Sequence, residues 1–78
     1  MSSIHITVKL FAQYREGRFK VETRVYEKGI SAGDIIEELG VTKALPLGVL
    51  MVNSRHEKES YLLQEGDILA LFPKVGGG

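Results

Sequence analysis

The sequence predicts an α+β domain with a hairpin first, one crossover helix, and further strands after it. Three observations carry this reading. Ile4, Ile6, Val8 and Leu10 alternate with His5, Thr7 and Lys9, the period of a half-buried strand. Ser31 to Leu39 carries the cap, the charge distribution and the apolar face of a helix. Ile68 to Phe72 is an apolar run closed by Pro73, which has no N–H to give to a ladder.

Taken in order, the first strand ends at Leu10, and Phe11 falls on its polar face. Gly17 supplies a turn after Glu16, so Ala12 to Gly17 is a connection longer than a tight hairpin turn. Phe19, Val21 and Val25 alternate with Lys20, Glu22 and Arg24 as a second strand. Ser31 caps the helix, and Asp34, three residues on, completes a capping box. Asp34, Glu37 and Glu38 suit the positive end of the helix dipole. Ala32, Ile35, Ile36 and Leu39 share the face that packs on the sheet, and Gly40 stops the helix.

Pro46 forbids continuation of a helix through the connector Lys43 to Gly48. Val49 to Val52 is a short buried strand, and Asn53 to His56 is a polar turn. Glu57 to Gln64 is open between a short strand and a turn. Gly66-Asp67 is a turn signal before the last strand. This order fits the β-grasp (ubiquitin-like) arrangement, a mixed sheet of four to five strands with one main helix across one face. In that topology the first and last strands run parallel, side by side. Residues 1–73 form the domain and residues 74–78 a flexible tail.

A chain of 78 residues suffices for one core. Hydrophobic residues at 44% and charged residues at 26% fit a folded domain rather than a disordered one. Ten basic residues balance ten acidic ones, which gives no footing for nucleic acid. The absence of cysteine excludes disulfides, thiolate metal sites and cysteine nucleophiles within this chain. His5 and His56 are far apart in sequence, so no metal site is expected. Met1 to Ile6 lacks the basic and apolar regions of a signal peptide, and no apolar stretch approaches a membrane span, so a cytoplasmic location is expected.

The end of the chain is the functional candidate. Lys74, Val75, Gly76, Gly77 and Gly78 follow Pro73. Three glycines carry no side chain to bury and lose the most entropy if ordered. Five extended residues reach about 16–18 Å, a thin arm that fits a narrow channel and ends in a carboxylate. A free carboxylate is a poor electrophile and must be activated, for instance by adenylation. Attack by sulfide or a persulfide then gives a thiocarboxylate, and attack by a lysine amine gives an isopeptide. The chain has neither a Walker motif nor a dinucleotide fingerprint. It binds no cofactor alone, and a partner handles the ATP.

Leu10-Phe11-Ala12-Gln13-Tyr14-Arg15-Glu16, Val52-Asn53 and the closing run from Gly66 to Gly78 resemble the MoaD/ThiS family of sulfur carriers, more closely its MoaD branch. The element order agrees along essentially the whole chain. The resemblance implies a β-grasp fold and a C-terminal glycine, here Gly78, that an E1-like enzyme adenylates. The adenylate then becomes a thiocarboxylate, charged by a persulfide enzyme or sulfide. In the MoaD branch sulfur passes to a pterin precursor while the carrier is docked in the large subunit of molybdopterin synthase. In the ThiS branch it passes to the thiazole of thiamine, and related archaeal proteins are attached to lysines. Three positions depart from the pattern. Lys74 stands where many MoaD sequences have proline, three glycines stand where two are usual, and His56 occupies a surface that is often apolar.

Strand parity adds a docking surface. Leu69 and Leu71 face the core, leaving Ile68, Ala70 and Phe72 on the other side. With the first and last strands as parallel neighbours, Phe11 and Phe72 meet beside the root of the arm as an aromatic anchor. Lys74 and Val75 are partner contacts, and Gly76 and Gly77 thread the partner's channel. Arg15 and Glu16 read as a surface pair, Glu37-Glu38 as a solvated helix face, and Asp67 as ordinary turn chemistry. Three functions remain: a sulfur carrier that is a protein co-substrate rather than an enzyme alone, a ubiquitin-like modifier, or an interaction module with an inert tail.

Overall fold

The first strand, β1 (Ser3–Leu10), buries the residues its alternation selects: Ile4, Ile6, Val8 and Leu10 all lie in the core. The structure is a computed structural model that describes residues 2–75. β2 (Val21–Glu27) pairs antiparallel with β1, and β5 (Ile68–Pro73) pairs parallel with it on the other side. β3 (Leu47–Val52) runs antiparallel to β5, and the two-residue β4 (Arg55–His56) closes the far edge. The sheet has five strands in the order β2-β1-β5-β3-β4. The parallel pairing of first and last strands is the one expected, with Leu10 opposite Leu71. This is the β-grasp, ubiquitin-like fold.

The helix α1 (Ala32–Leu39) supplies Ala32, Ile35 and Ile36 to the same core. Its capping box is complete: the Asp34 N–H donates to Ser31 Oγ at 3.1 Å, and the Ser31 N–H donates to the Asp34 carboxylate at 3.1 Å. Gly40 ends it at φ 67°, a left-handed cap that a side chain would strain. The segment 57–64, left open by the sequence, forms no strand beyond one bridge between Ser31 and Leu62. Its carbonyls serve the helix start instead. Ala32 N–H donates to Tyr61 O at 3.0 Å and Gly33 N–H to Glu59 O at 2.8 Å, satisfying donors that have no partner inside the helix.

Several expectations need correction. The second strand spans 21–27, leaving out Phe19, and the valines of its alternating set lie on the open face: Val21 is 53% and Val25 60% exposed. Register puts Glu22, Arg24 and Tyr26 opposite Val8, Ile6 and Ile4, so the polar set shares the helix side. An edge strand has little core to cover, and here Tyr26 and Arg24 reach over to Glu38, with the phenol donating at 2.8 Å. Burial, then that hydrogen bond, push the Tyr26 phenol up to about 12. Glu38 is therefore a partner of β2 rather than only a solvated charge, and with α1 ending at Leu39 only Asp34, not Glu37 or Glu38, lies at the positive end of the dipole. β3 starts at Leu47, two residues early, with a register shift between Leu47 and Val49. The connection after β1 holds a 3-10 turn at Ala12–Arg15 that buries Tyr14 completely. Its hydroxyl donates to Leu45 O at 2.8 Å, which is how a phenol is housed in the core. Asp67 is not an ordinary turn residue either: it is buried, and both carboxylate oxygens accept hydrogen bonds.

Candidate functional site

Strand parity places the site. Leu10 and Leu71 are opposite one another in the core, and the next residue on each strand turns to the open face. There the Phe11 and Phe72 rings stack with centroids 4.1 Å apart and planes 11° apart. The Phe11 N–H donates to Leu71 O at 3.2 Å, which extends the parallel pairing one residue and sets the two rings level. Both rings are half-buried. They are brought together as the sequence predicts, as a joint platform rather than two separate anchors.

Arg15 corrects another expectation. It turns back onto the platform, its Nε–H donating to Leu10 O at 2.8 Å and its guanidinium 5.3 Å from the Phe11 ring centre. The cation thereby fixes the outer side of Phe11 rather than pairing with Glu16.

Beyond Phe72 the open face stays apolar. Val49 lies opposite Phe72 and Met51 opposite Ala70, so β3 continues the surface. Ala12, Val49, Met51, Phe72, Pro73 and Val75 line a shallow groove of about 410 Å³. Val75 is 72% exposed at its end. A signal for Val49 and Met51 was present: β3 is apolar at successive positions, whereas a strand with one solvated face alternates. His56, opposite Met51, brings a polar tip to the rim of this face.

The root of the arm is built by residues the sequence reading passed over. The Lys74 N–H donates to Pro46 O at 2.8 Å. Gly48 lies against the same backbone: a Cβ there would stand 2.7 Å from Pro73 O and 2.8 Å from Lys74 N and Cα. Only glycine lets the two backbone segments approach this closely. Lys74 is thereby held two residues beyond Phe72 of the aromatic platform. Gly76, Gly77 and Gly78 lie outside the described residues.

The remaining candidates are dispersed. His5 is exposed on β1, where Glu65 Oε1 accepts from its N–H at 2.9 Å and lies 3.3 Å from its ring Nδ1. The bond from the His5 backbone, then that from its ring, hold the Glu65 carboxyl below its ordinary range. Among the described residues no three metal-ligating side chains cluster. No helix among them is long and apolar enough to cross a membrane.

The sequence matches the ThiS family over residues 8–78, a span that includes the aromatic platform and the groove. The chain belongs to the ThiS family. This is the sulfur-carrier family that the motifs around Phe11 and Phe72 resemble. No curated protein matches the sequence significantly. Among solved structures, the Haloferax volcanii HVO 2177 protein superimposes with a TM-score of 0.80 at 21% identity, covering 97% of this chain and 88% of its own. Haloferax volcanii small archaeal modifier protein 1 gives a TM-score of 0.72 at 26% identity, covering 92% and 99%. A putative molybdopterin converting factor, subunit 1, from Pyrococcus furiosus gives 0.72 at 25% identity, also covering 92% and 99%.

Proposed function

We propose that this ThiS-family member is a cytoplasmic sulfur carrier for molybdopterin biosynthesis, with Gly78 as its working residue. An E1-like partner transfers AMP from ATP to the Gly78 carboxylate, releasing pyrophosphate. Hydrosulfide, or a persulfide followed by a thiol that cleaves the resulting acyl disulfide, displaces AMP and leaves a thiocarboxylate. The carrier then docks in the large subunit of a molybdopterin synthase-like complex, where that sulfur is given to the pterin precursor. The chain contributes no catalytic side chain to these steps. It presents an end group and a surface that holds the arm in register.

The observation that carries this reading is the apolar groove that ends where the arm begins, at Phe72, Pro73 and Val75. The similarity to a molybdopterin converting factor subunit 1 supports the pathway, and the similarity to a small archaeal modifier supports a second reading, conjugation of the same activated end to lysine. Intact mass spectrometry on protein from its native host tests both. The expected result is exchange of one oxygen for sulfur, located at Gly78. Lysine-linked Gly78 remnants on other proteins, without any thiocarboxylate, would replace the first reading by the second. Neither form, with pathway output unaffected by deletion of Gly77 and Gly78, would reject both.

The docking platform has its own test. Phe72→Ala removes half of the stacked pair and one wall of the groove, while leaving Leu71 and the core in place. Affinity for the activating enzyme, read by titration calorimetry, is expected to fall about tenfold or more, the loss typical of an aromatic anchor. The circular dichroism spectrum should stay native. Unchanged affinity would remove Phe72 from the interface.

A further inference from the structure

The outer edge of β2 has a side-chain pattern that complements itself, and we propose that it pairs with a second copy of this chain across a two-fold axis. β2 stands at one end of the sheet order, with no strand beyond it. Its ladder to β1 runs from Glu27 to Val21 without a register shift. Natural edges are usually blunted by a bulge, a proline, a lysine or an inward-pointing charge. Val-Glu-Thr-Arg-Val-Tyr-Glu has no bulge, proline or lysine, its helix-side charges Glu22 and Arg24 already neutralise each other, and it leaves Val21 and Val25 more than half exposed on the open face.

The direction of its backbone groups follows from the ladder. Leu10 N–H donates to Lys20 O and Lys28 N–H to Ser2 O, so the even-numbered residues of β2 are those that bond to β1. Val21, Thr23, Val25 and Glu27 therefore direct their N–H and C=O groups away from the sheet. A second strand bonded there must set odd residues opposite odd ones. A two-fold axis then allows only a few antiparallel registers, and the side chains choose among them.

With Arg24 opposite the second copy's Arg24, like charges meet at the centre, and Lys20 also faces Lys28. With Val25 opposite Val25, Val21 is left uncovered. With Thr23 opposite Thr23, Val21 of each copy covers Val25 of the other, and Glu22 of each faces Arg24 of the other. That last register covers both exposed valines and joins two existing Glu22–Arg24 pairs, 2.9 Å in the monomer, into a four-charge cluster. Self-complementarity of this kind is the requirement of an isologous interface. The contact is one strand wide, so the dimer belongs to the weak class. Phe72 and Lys74 belong to β5 and the segment after it, with β1 standing between them and the paired edge.

Sedimentation equilibrium over micromolar to millimolar concentration tests this on the full chain. The expected result is a monomer–dimer equilibrium that Glu22→Arg and Arg24→Glu each weaken about tenfold or more by setting like charges opposite one another. The double swap Glu22→Arg/Arg24→Glu should restore it. Glu22 is exposed, but Arg24 is half-buried and also pairs with Glu38 at 3.6 Å, so each variant's thermal midpoint is measured alongside, and a loss of dimer counts only where the monomer keeps the parent fold. Thr23→Pro, which removes an outward N–H and no bond to β1, should also abolish the dimer. A monomer at all concentrations, a dimer indifferent to these changes, or a loss that the double swap does not restore would each overturn the proposal. These outcomes are independent of whether Gly78 is ever thiocarboxylated.

Discussion

Asp67→Ala is expected to lower the stability of the fold by about 3 kcal/mol, which for a domain of this size shifts the thermal midpoint by roughly 15 °C. Asp67 is 7% exposed. Its Oδ1 accepts from Asn53 Nδ2 at 2.9 Å and its Oδ2 from the Gln64 N–H at 2.8 Å. Asn53 in turn accepts the Ile68 N–H on its Oδ1 at 2.9 Å and gives its own N–H to Ile68 O at 2.9 Å. Alanine would take the charged acceptor from the Gln64 N–H and the Asn53 amide, two part-buried bonds, and a hydrogen bond to a charged group is worth about 1.5–3 kcal/mol. Asp67→Asn keeps the shape but replaces one acceptor oxygen with a donor, so it should cost roughly half as much. Urea unfolding of Asp67→Ala, Asn53→Ala and the double variant supplies the cycle, in which the two losses should be clearly less than additive. A loss below about 1 kcal/mol for Asp67→Ala would show that water replaces the carboxylate without penalty.

That network marks where reading the chain alone reaches its limit. Gly66-Asp67 announces a turn, and it is one. Nothing local says that Asp67 is enclosed, because Asn53 follows the far end of β3 and meets it only once β3 and β5 pair. Tyr14 is hidden in the same way: its acceptor, Leu45 O, comes from a connector across the core, so a tyrosine in a polar-looking stretch becomes a fully buried one. The platform of Phe11 and Phe72 is the opposite case. Two local parity statements became one spatial statement as soon as the topology made β1 and β5 parallel neighbours, and the stacked rings follow. β2 misleads because alternation reports which residues share a face, not which face is covered. On an edge strand the covered face can be the one holding Glu22, Arg24 and Tyr26. Gly48 has no local signature either. A glycine required for close approach looks like any loop glycine until the chain it touches is known.

Gly48→Val is the second change with a large expected effect, and it separates the body of the protein from its arm. The glycine is needed for space rather than for an unusual dihedral. A Cβ at this position would meet Pro73 O at 2.7 Å and the Lys74 backbone at 2.8 Å, closer than any real Cβ contact. The atoms it meets are backbone, so no flexible side-chain end can swing aside. The arm must move, and the Lys74 N–H to Pro46 O bond must lengthen or break. Overpacking of this kind costs about 1–3 kcal/mol, and the lost bond adds about 1 kcal/mol. Stability should therefore fall by about 2–4 kcal/mol, and the Lys74 amide should exchange with solvent much faster than in the parent. Under the carrier reading the consequence for charging is larger. The groove docks the body while the arm reaches the adenylating centre, so a shift of about 1 Å at the root misplaces the reacting carboxylate, an error worth up to about 100-fold in rate. Gly29→Ala is the contrast. Gly29 has φ 100° with open space around it, so alanine strains its turn by about 1–2 kcal/mol without touching the groove or the arm. If both variants lose stability but only Gly48→Val loses kcat/KM for adenylation, the close packing of Gly48 on Pro73 and Lys74 aims the arm. If the two lose activity in proportion to stability, the packing is structural and the arm finds its channel unaided.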